Sequence, residues 1–60
     1  MNYKGYGIET EYIDDYPEPN NWRIAVYDLS NNEYRCVWLN YFPSEQEAIE
    51  VAKGWIDEHG

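Results

Sequence analysis

Glu9, Glu11, Asp14, Asp15 and Glu18 crowd five carboxylates into one short stretch, and no basic residue lies between Lys4 and Arg23. Carboxylates at this density can coordinate a hard cation, act as an acid–base pair, or engage the Lys and Arg side chains of a partner. Cation binding fits poorly. Asp14, Asp15 and Glu18 are oxygen ligands, but an EF-hand spreads its ligands over a loop of about twelve residues with a central Gly. Pro17 and Pro19 do not suit such a loop, so no metal or other cofactor is expected. Acid–base catalysis needs a cleft that separates two pKa values, and a chain of 60 residues has little volume for one. The third use fits best. Glu9 and Glu11, two positions apart on a strand, lie roughly 6.5–7 Å apart on one side of it. That is comparable to the path between successive phosphates of a nucleic acid, so such a row can enter a basic groove. The competing reading is an edge strand blunted with charge.

Nucleophilic chemistry finds no support. His59 is the only histidine and sits near the C-terminus, and Cys36 is the only cysteine. Cys36 falls mid-strand with no local sign of activation. No Gly-rich phosphate loop or nucleophile motif occurs. The expectation is a protein that binds and does not catalyse.

Charge and aromatics together narrow the class. Twelve Asp and Glu face four Lys and Arg, a formal charge of −8, alongside seven Tyr and three Trp. Disordered acidic tails are poor in aromatics because they lack the apolar surface to fold. This chain is therefore expected to fold as one domain, residues 1–60, and to present a negative surface. Such a surface opposes direct binding to nucleic acid or to anionic lipid. A single cysteine forms no internal disulfide, which suits a reducing compartment. No stretch approaches the ~18 apolar residues of a membrane span, and no apolar run follows Lys4 as in a secretory signal. A soluble cytoplasmic protein is expected.

These side chains need elements to hold them. Tyr3 to Ile13 alternates like a strand, with Tyr6, Ile8, Thr10 and Tyr12 on one face. Asp14 to Asn21 reads as a loop, punctuated by two prolines. Trp22 to Asp28 and Tyr34 to Tyr41 read as strands, joined by a tight turn at Asn31-Asn32. A two-residue turn there puts Val26 opposite Val37 and Ile24 opposite Leu39. One face then carries Trp22, Ile24, Val26, Val37, Leu39 and Tyr41, and the other carries Arg23, Ala25, Tyr27, Tyr34, Cys36 and Trp38. A slip of one residue would exchange the faces of a strand.

The helix signal is the clearest. Ser44-Glu45-Gln46-Glu47 reads as a capping box. Ala48, Ile49, Val51, Ala52, Trp55 and Ile56 make an apolar stripe, with Lys53 set to pair with Glu50 or Asp57. Gly54 interrupts the helix and would admit a close backbone neighbour; Gly60 stands near the expected C-cap. The fold class predicted is α+β: a three-stranded antiparallel meander with one C-terminal helix on one face, β-β-β-α.

The segment from Trp22 to Ile56 runs Trp, hairpin, Phe42-Pro43-Ser44, Glu47-Ala48-Ile49 and Ala52-Lys53-Gly54-Trp55-Ile56-Asp57. In this outline it resembles small ββα-containing domains, including the arm-type DNA-binding domains of integrases. Those bind DNA through basic strands, whereas Glu9, Glu11 and Asp28 occupy the strands here. In size and acidity the chain is similar to small phage proteins that inhibit host nucleic-acid machinery, anti-CRISPR proteins among them, several of which imitate DNA with carboxylates. That likeness rests on length, charge and folded character, with no motif behind it. It implies an inhibitor whose Glu9, Glu11, Asp14, Asp15 and Glu18 meet the basic groove of a nucleic-acid-binding protein. Tyr27, Tyr34 and Trp38 would anchor it from the uncovered sheet face. The alternative is a protein-interaction module or accessory subunit, a monomer or weak homodimer that pairs through that aromatic face.

Overall fold

The structure is a computed structural model that describes residues 1–15 and 17–59. Tyr16, within the expected loop, and Gly60, the expected C-cap residue, lie outside the described residues.

The N-terminal alternation forms two strands, β1 (Asn2–Tyr3) and β2 (Tyr6–Tyr12). Lys4 (φ 50°) and Gly5 (φ 86°) both take positive φ between them. Positive φ at both central positions is the geometry of the type I′ hairpin turn, whose twist matches that of the strands it joins. β3 (Trp22–Asp28) and β4 (Tyr34–Val37) follow, then α1 (Glu45–His59). The fold is α+β, with an antiparallel sheet in the order β1-β2-β3-β4 and one C-terminal helix. The expected three strands become four because the chain turns back at Lys4-Gly5.

Pairs Ile8↔Val26, Thr10↔Ile24 and Tyr12↔Trp22 set the helix-facing side of the sheet. Ile8, Ile24 and Val26 are buried there against Ala48, Ala52 and Ile56 of α1. The two alanines, one turn apart, keep that helix face low and bring it close to the sheet. Each fully buried Ile or Val contributes about 1.5–3 kcal/mol, so a domain this small depends on each of them. Ser44 caps the helix as expected: its Oγ accepts the Glu47 amide at 3.2 Å. Gly54 is exposed with open space around it, so the expected close backbone neighbour is absent among the described residues.

The β3–β4 register departs from the expectation. The turn is longer than two residues, because Asp28 organises it. Its carboxylate accepts the Ser30 amide (2.9 Å) and hydroxyl (2.6 Å), and its carbonyl accepts the Asn32 amide at 2.8 Å. Of the two asparagines, only Asn32 takes positive φ (59°). The pairs are Tyr27↔Tyr34, then Val26↔Cys36 and Ala25↔Val37. Arg35 is thus the extra residue of a β-bulge. From there on every β4 side chain changes face. Cys36, paired with Val26, points to the helix side. Trp38 packs against the core with its ring 6.4 Å from that of Trp55. Val37 goes to the open face, and Leu39 leaves the sheet, 95% exposed. Phe42 then rejoins β3, exchanging two backbone hydrogen bonds with Trp22 (2.9 and 2.8 Å). The expected placement of Trp38 and Cys36 on the open face, and of Val37 and Leu39 in the core, is therefore corrected. Trp38 offers more apolar area to bury than Val37, and the bulge delivers it.

Candidate functional site

Each end of the helix is tied to the sheet by polar groups. Thr10 Oγ1 donates to the Glu45 carboxylate at 2.7 Å. At the other end, Tyr3 Oη and Lys4 Nζ donate to Asp57 at 3.0 and 2.7 Å. The helix N-terminus therefore sits by the C-terminal end of β2, where the 14–20 loop also emerges. Ile13 and Asn21 close that loop. The Ile13 amide donates to the Asn21 carbonyl at 2.8 Å, and the buried Asn21 amide group donates back to the Ile13 carbonyl at 2.7 Å. Asp14, Asp15 and Glu18 on the loop thus share one end of the molecule with Glu45 and Glu47 on the helix. Glu18 accepts the Tyr12 hydroxyl at 3.4 Å. Desolvation first, and Glu18 second, push the Tyr12 hydroxyl pKa up.

Glu9 and Glu11 belong to a different environment. They lie on the open face, with Arg23 directly opposite Glu11. Arg23 Nε stands 3.1 Å from Glu11, and its terminal nitrogen stands 3.6 Å from Glu9. The trio carries one net negative charge instead of two free carboxylates. Tyr34 Oη also donates to Glu9, at 3.0 Å, and this bond raises the Tyr34 pKa. Tyr27 lies over Gly7, where any side chain would collide with its ring. Covering a strand glycine with a cross-strand aromatic restores the packing that glycine lacks. The Tyr27 and Tyr34 rings meet edge to face at 5.9 Å and 67°. Of the three aromatics expected to anchor a partner, Tyr27 and Tyr34 are on the open face and Trp38 is on the other.

Every basic side chain is matched internally. Lys4 pairs with Asp57 (2.7 Å), Arg23 with Glu9 and Glu11, Arg35 with Asp28 (3.5 Å) and Lys53 with Glu50 (4.0 Å). Lys53 thus takes the first of its two expected partners. Among the described residues, seven acids make no ion pair: Asp14, Asp15 and Glu18 on the loop, Glu45 and Glu47 at the helix N-terminus, Glu33 just before β4 and Glu58 in the last turn of the helix. A shallow groove of about 360 Å³ opens against the loop, lined by Pro17, Asn20, Leu39, Asn40 and Tyr41. Leu39 was not expected in any site. Its exposure follows from the bulge and from the detour before Phe42, neither of which has a local sequence signal.

Among the described residues, no group of three or more His, Cys, Asp or Glu is placed to hold a metal ion. Nor is any helix there long and apolar enough to cross a membrane. Comparisons with protein-family models, curated proteins and solved structures find no match.

Proposed function

We propose that this protein inhibits a nucleic-acid-binding protein by blocking its basic groove with an acidic surface. The observation that carries the reading is the sorting of charge. The fold pairs all of its cations within the sheet and helix. Of the seven acids without an ion pair, five (Asp14, Asp15, Glu18, Glu45 and Glu47) belong to the loop and the helix N-terminus that meet at one end, while Glu33 and Glu58 lie elsewhere. The exposed Leu39 lines a groove against that loop. Charges of one sign gathered on one surface raise a field that attracts and orients a basic partner. Leu39, in the role first expected of Trp38, supplies an apolar contact within the acidic rim. The mechanism is steric and electrostatic competition with nucleic acid, so affinity falls as salt rises.

The test is capture of a partner from bacterial lysate by the immobilised protein, followed by elution with excess duplex DNA or RNA. A nucleic-acid-binding protein should be captured and released by the competitor. It should be lost when Asp14, Asp15, Glu18, Glu45 and Glu47 are replaced by Asn or Gln. A partner that stays bound in competitor, or that binds the neutralised variant equally well, refutes the reading.

A second reading rests on Tyr34 (56% exposed) and Val37 (49%) on β4, the edge strand of the sheet among the described residues. Here the protein is an interaction module that forms a weak homodimer through the open sheet face. Sedimentation at increasing concentration separates the two, since that dimer grows with concentration and with salt.

A further inference from the structure

We infer that the open sheet face holds a receptor site for a single cationic side chain, an arginine guanidinium by preference. Glu9, Tyr27, Asn32 and Tyr34 line a concavity of about 230 Å³. Pockets for drug-sized ligands run to about 300–1,000 Å³, so this one suits a single side chain. Its chemistry is that of a cation site. Two tyrosine rings inclined at 67° present π-faces and edges, and the negative face of an aromatic ring attracts a cation. Glu9 adds a carboxylate in the same wall, only partly compensated by Arg23 and 42% exposed. Both Glu9 oxygens are within 3.1 Å of the Tyr34 hydroxyl. That contact fixes the carboxylate while leaving lone pairs free, since a carboxylate offers about four acceptor directions. Arg23 approaches Glu9 only to 3.6 Å and sits closer to Glu11. Asn32, held at positive φ, closes the concavity from the β3–β4 turn.

The occupant follows from charge complementarity. A carboxylate beside two aromatic rings on a chain of charge −8 selects a cation and repels an acid. A guanidinium is preferred to an ammonium because its flat face stacks on a ring while its N–H fork meets the carboxylate. The site uses different residues from the acidic end, so the two proposals fail separately. For the identity of the guanidinium's bearer, a basic protein surface, it rests on the function proposed above.

The test uses the full chain and N-acetyl-arginine methylamide as the probe, followed by NMR. Saturable shifts are expected at the Tyr27 and Tyr34 ring signals and at the Glu9 and Asn32 amides. Asp14, Asp15 and Glu18 should move only as much as they do in equimolar sodium chloride. Glu9→Gln should weaken binding about tenfold, the scale of one charged hydrogen bond, and the lysine analogue should bind more weakly than arginine. Tyr34→Phe, which keeps the ring and frees Glu9, should still bind and keep the ring shifts. Absence of saturation, or an equal response in Glu9→Gln, overturns the site. Either result leaves the capture experiment, which depends on the acidic end, free to succeed.

Discussion

Replacing Gly7 by alanine tests how the open face is built, because two effects of opposite sign meet there. A Cβ on Gly7 would stand 2.6 Å from both Cε atoms of Tyr27 and closer still to its Cζ. The backbone at Gly7 lies outside the left-handed region, so alanine fits it without strain. Alone, that would stabilise the fold by about 0.4–1 kcal/mol, through a less flexible unfolded chain. Against it, the Tyr27 ring must move. Overpacking costs about 1–3 kcal/mol, and the lost edge contact with Tyr34 adds about 0.5–1.5 kcal/mol. Steric cost wins, and Gly7→Ala should destabilise by about 1–3 kcal/mol. At about 4–8 °C per kcal/mol for a domain of this size, the fall in Tm is easily measured by circular dichroism. In a Tyr27→Ala background the ring is gone, and the same substitution should stabilise instead. Gly54→Ala is the control: a Cβ there meets nothing within 4 Å, and the helix should gain about 1 kcal/mol. If Gly7→Ala is neutral in the parent, or equally harmful in both backgrounds, Tyr27 does not lie over Gly7 and the account of this face fails.

Two further outcomes follow from the packing and the ion pairs. Trp38→Ala should cost about 2–4 kcal/mol, toward the lower part of the range for large aromatic truncations because the ring is only half-buried, while Leu39→Ser should stay within about 0.5 kcal/mol of the parent; urea denaturation that ranks them the other way would restore the two-residue turn. Lys4 holds the Asp57 carboxyl below its ordinary pKa, and Ser30 does the same for Asp28. Groups with a depressed folded pKa stabilise above the unfolded value and lose that contribution as pH falls through the folded one. Self-repulsion acts in the opposite direction and fades as pH approaches the pI near 4.2. Tm should therefore rise from neutrality to about pH 4–5 and fall below it, and Asp57→Asn should flatten only the acid limb. A steady fall in Tm from pH 7 downward would contradict this balance.

Much of the fold was legible because it is written in local pattern. Ser44 through Glu47 announced the helix start, and the alanines at 48 and 52 marked its buried stripe. Alternation from Tyr6 to Tyr12 and from Trp22 to Asp28 sorted two strands onto the correct faces. The β4 register was not legible. Cys36 and Trp38 compete with Val37 and Leu39 for the core on nearly equal apolar terms. The choice is made by Asp28, whose hydrogen bonds to Ser30 lengthen the turn and are followed by the Arg35 bulge. The same limit applies to the site. The acidic loop could be read directly, but its convergence with Glu45 and Glu47 depends on the Thr10–Glu45 bond, which spans 35 positions.

Arg23 decides what the acidic strand can do. Read along β2 alone, Glu9 and Glu11 form a charged row at roughly phosphate-like spacing. Read across the sheet, Arg23 sits opposite Glu11 and reaches both carboxylates. A partner's arginine would have to compete with one already in place. Half-exposed ion pairs of this kind contribute only about 0–1 kcal/mol, so Arg23 can be displaced, but the row gains little over water by exchanging one guanidinium for another. Carboxylates on the loop and helix N-terminus face no such competitor among the described residues. On the function proposed above, the attraction for a basic groove originates mainly at that end. The strand contributes instead through Glu9 as one wall of the tyrosine pocket, where two rings offer an incoming cation a contact that Arg23 does not already fill.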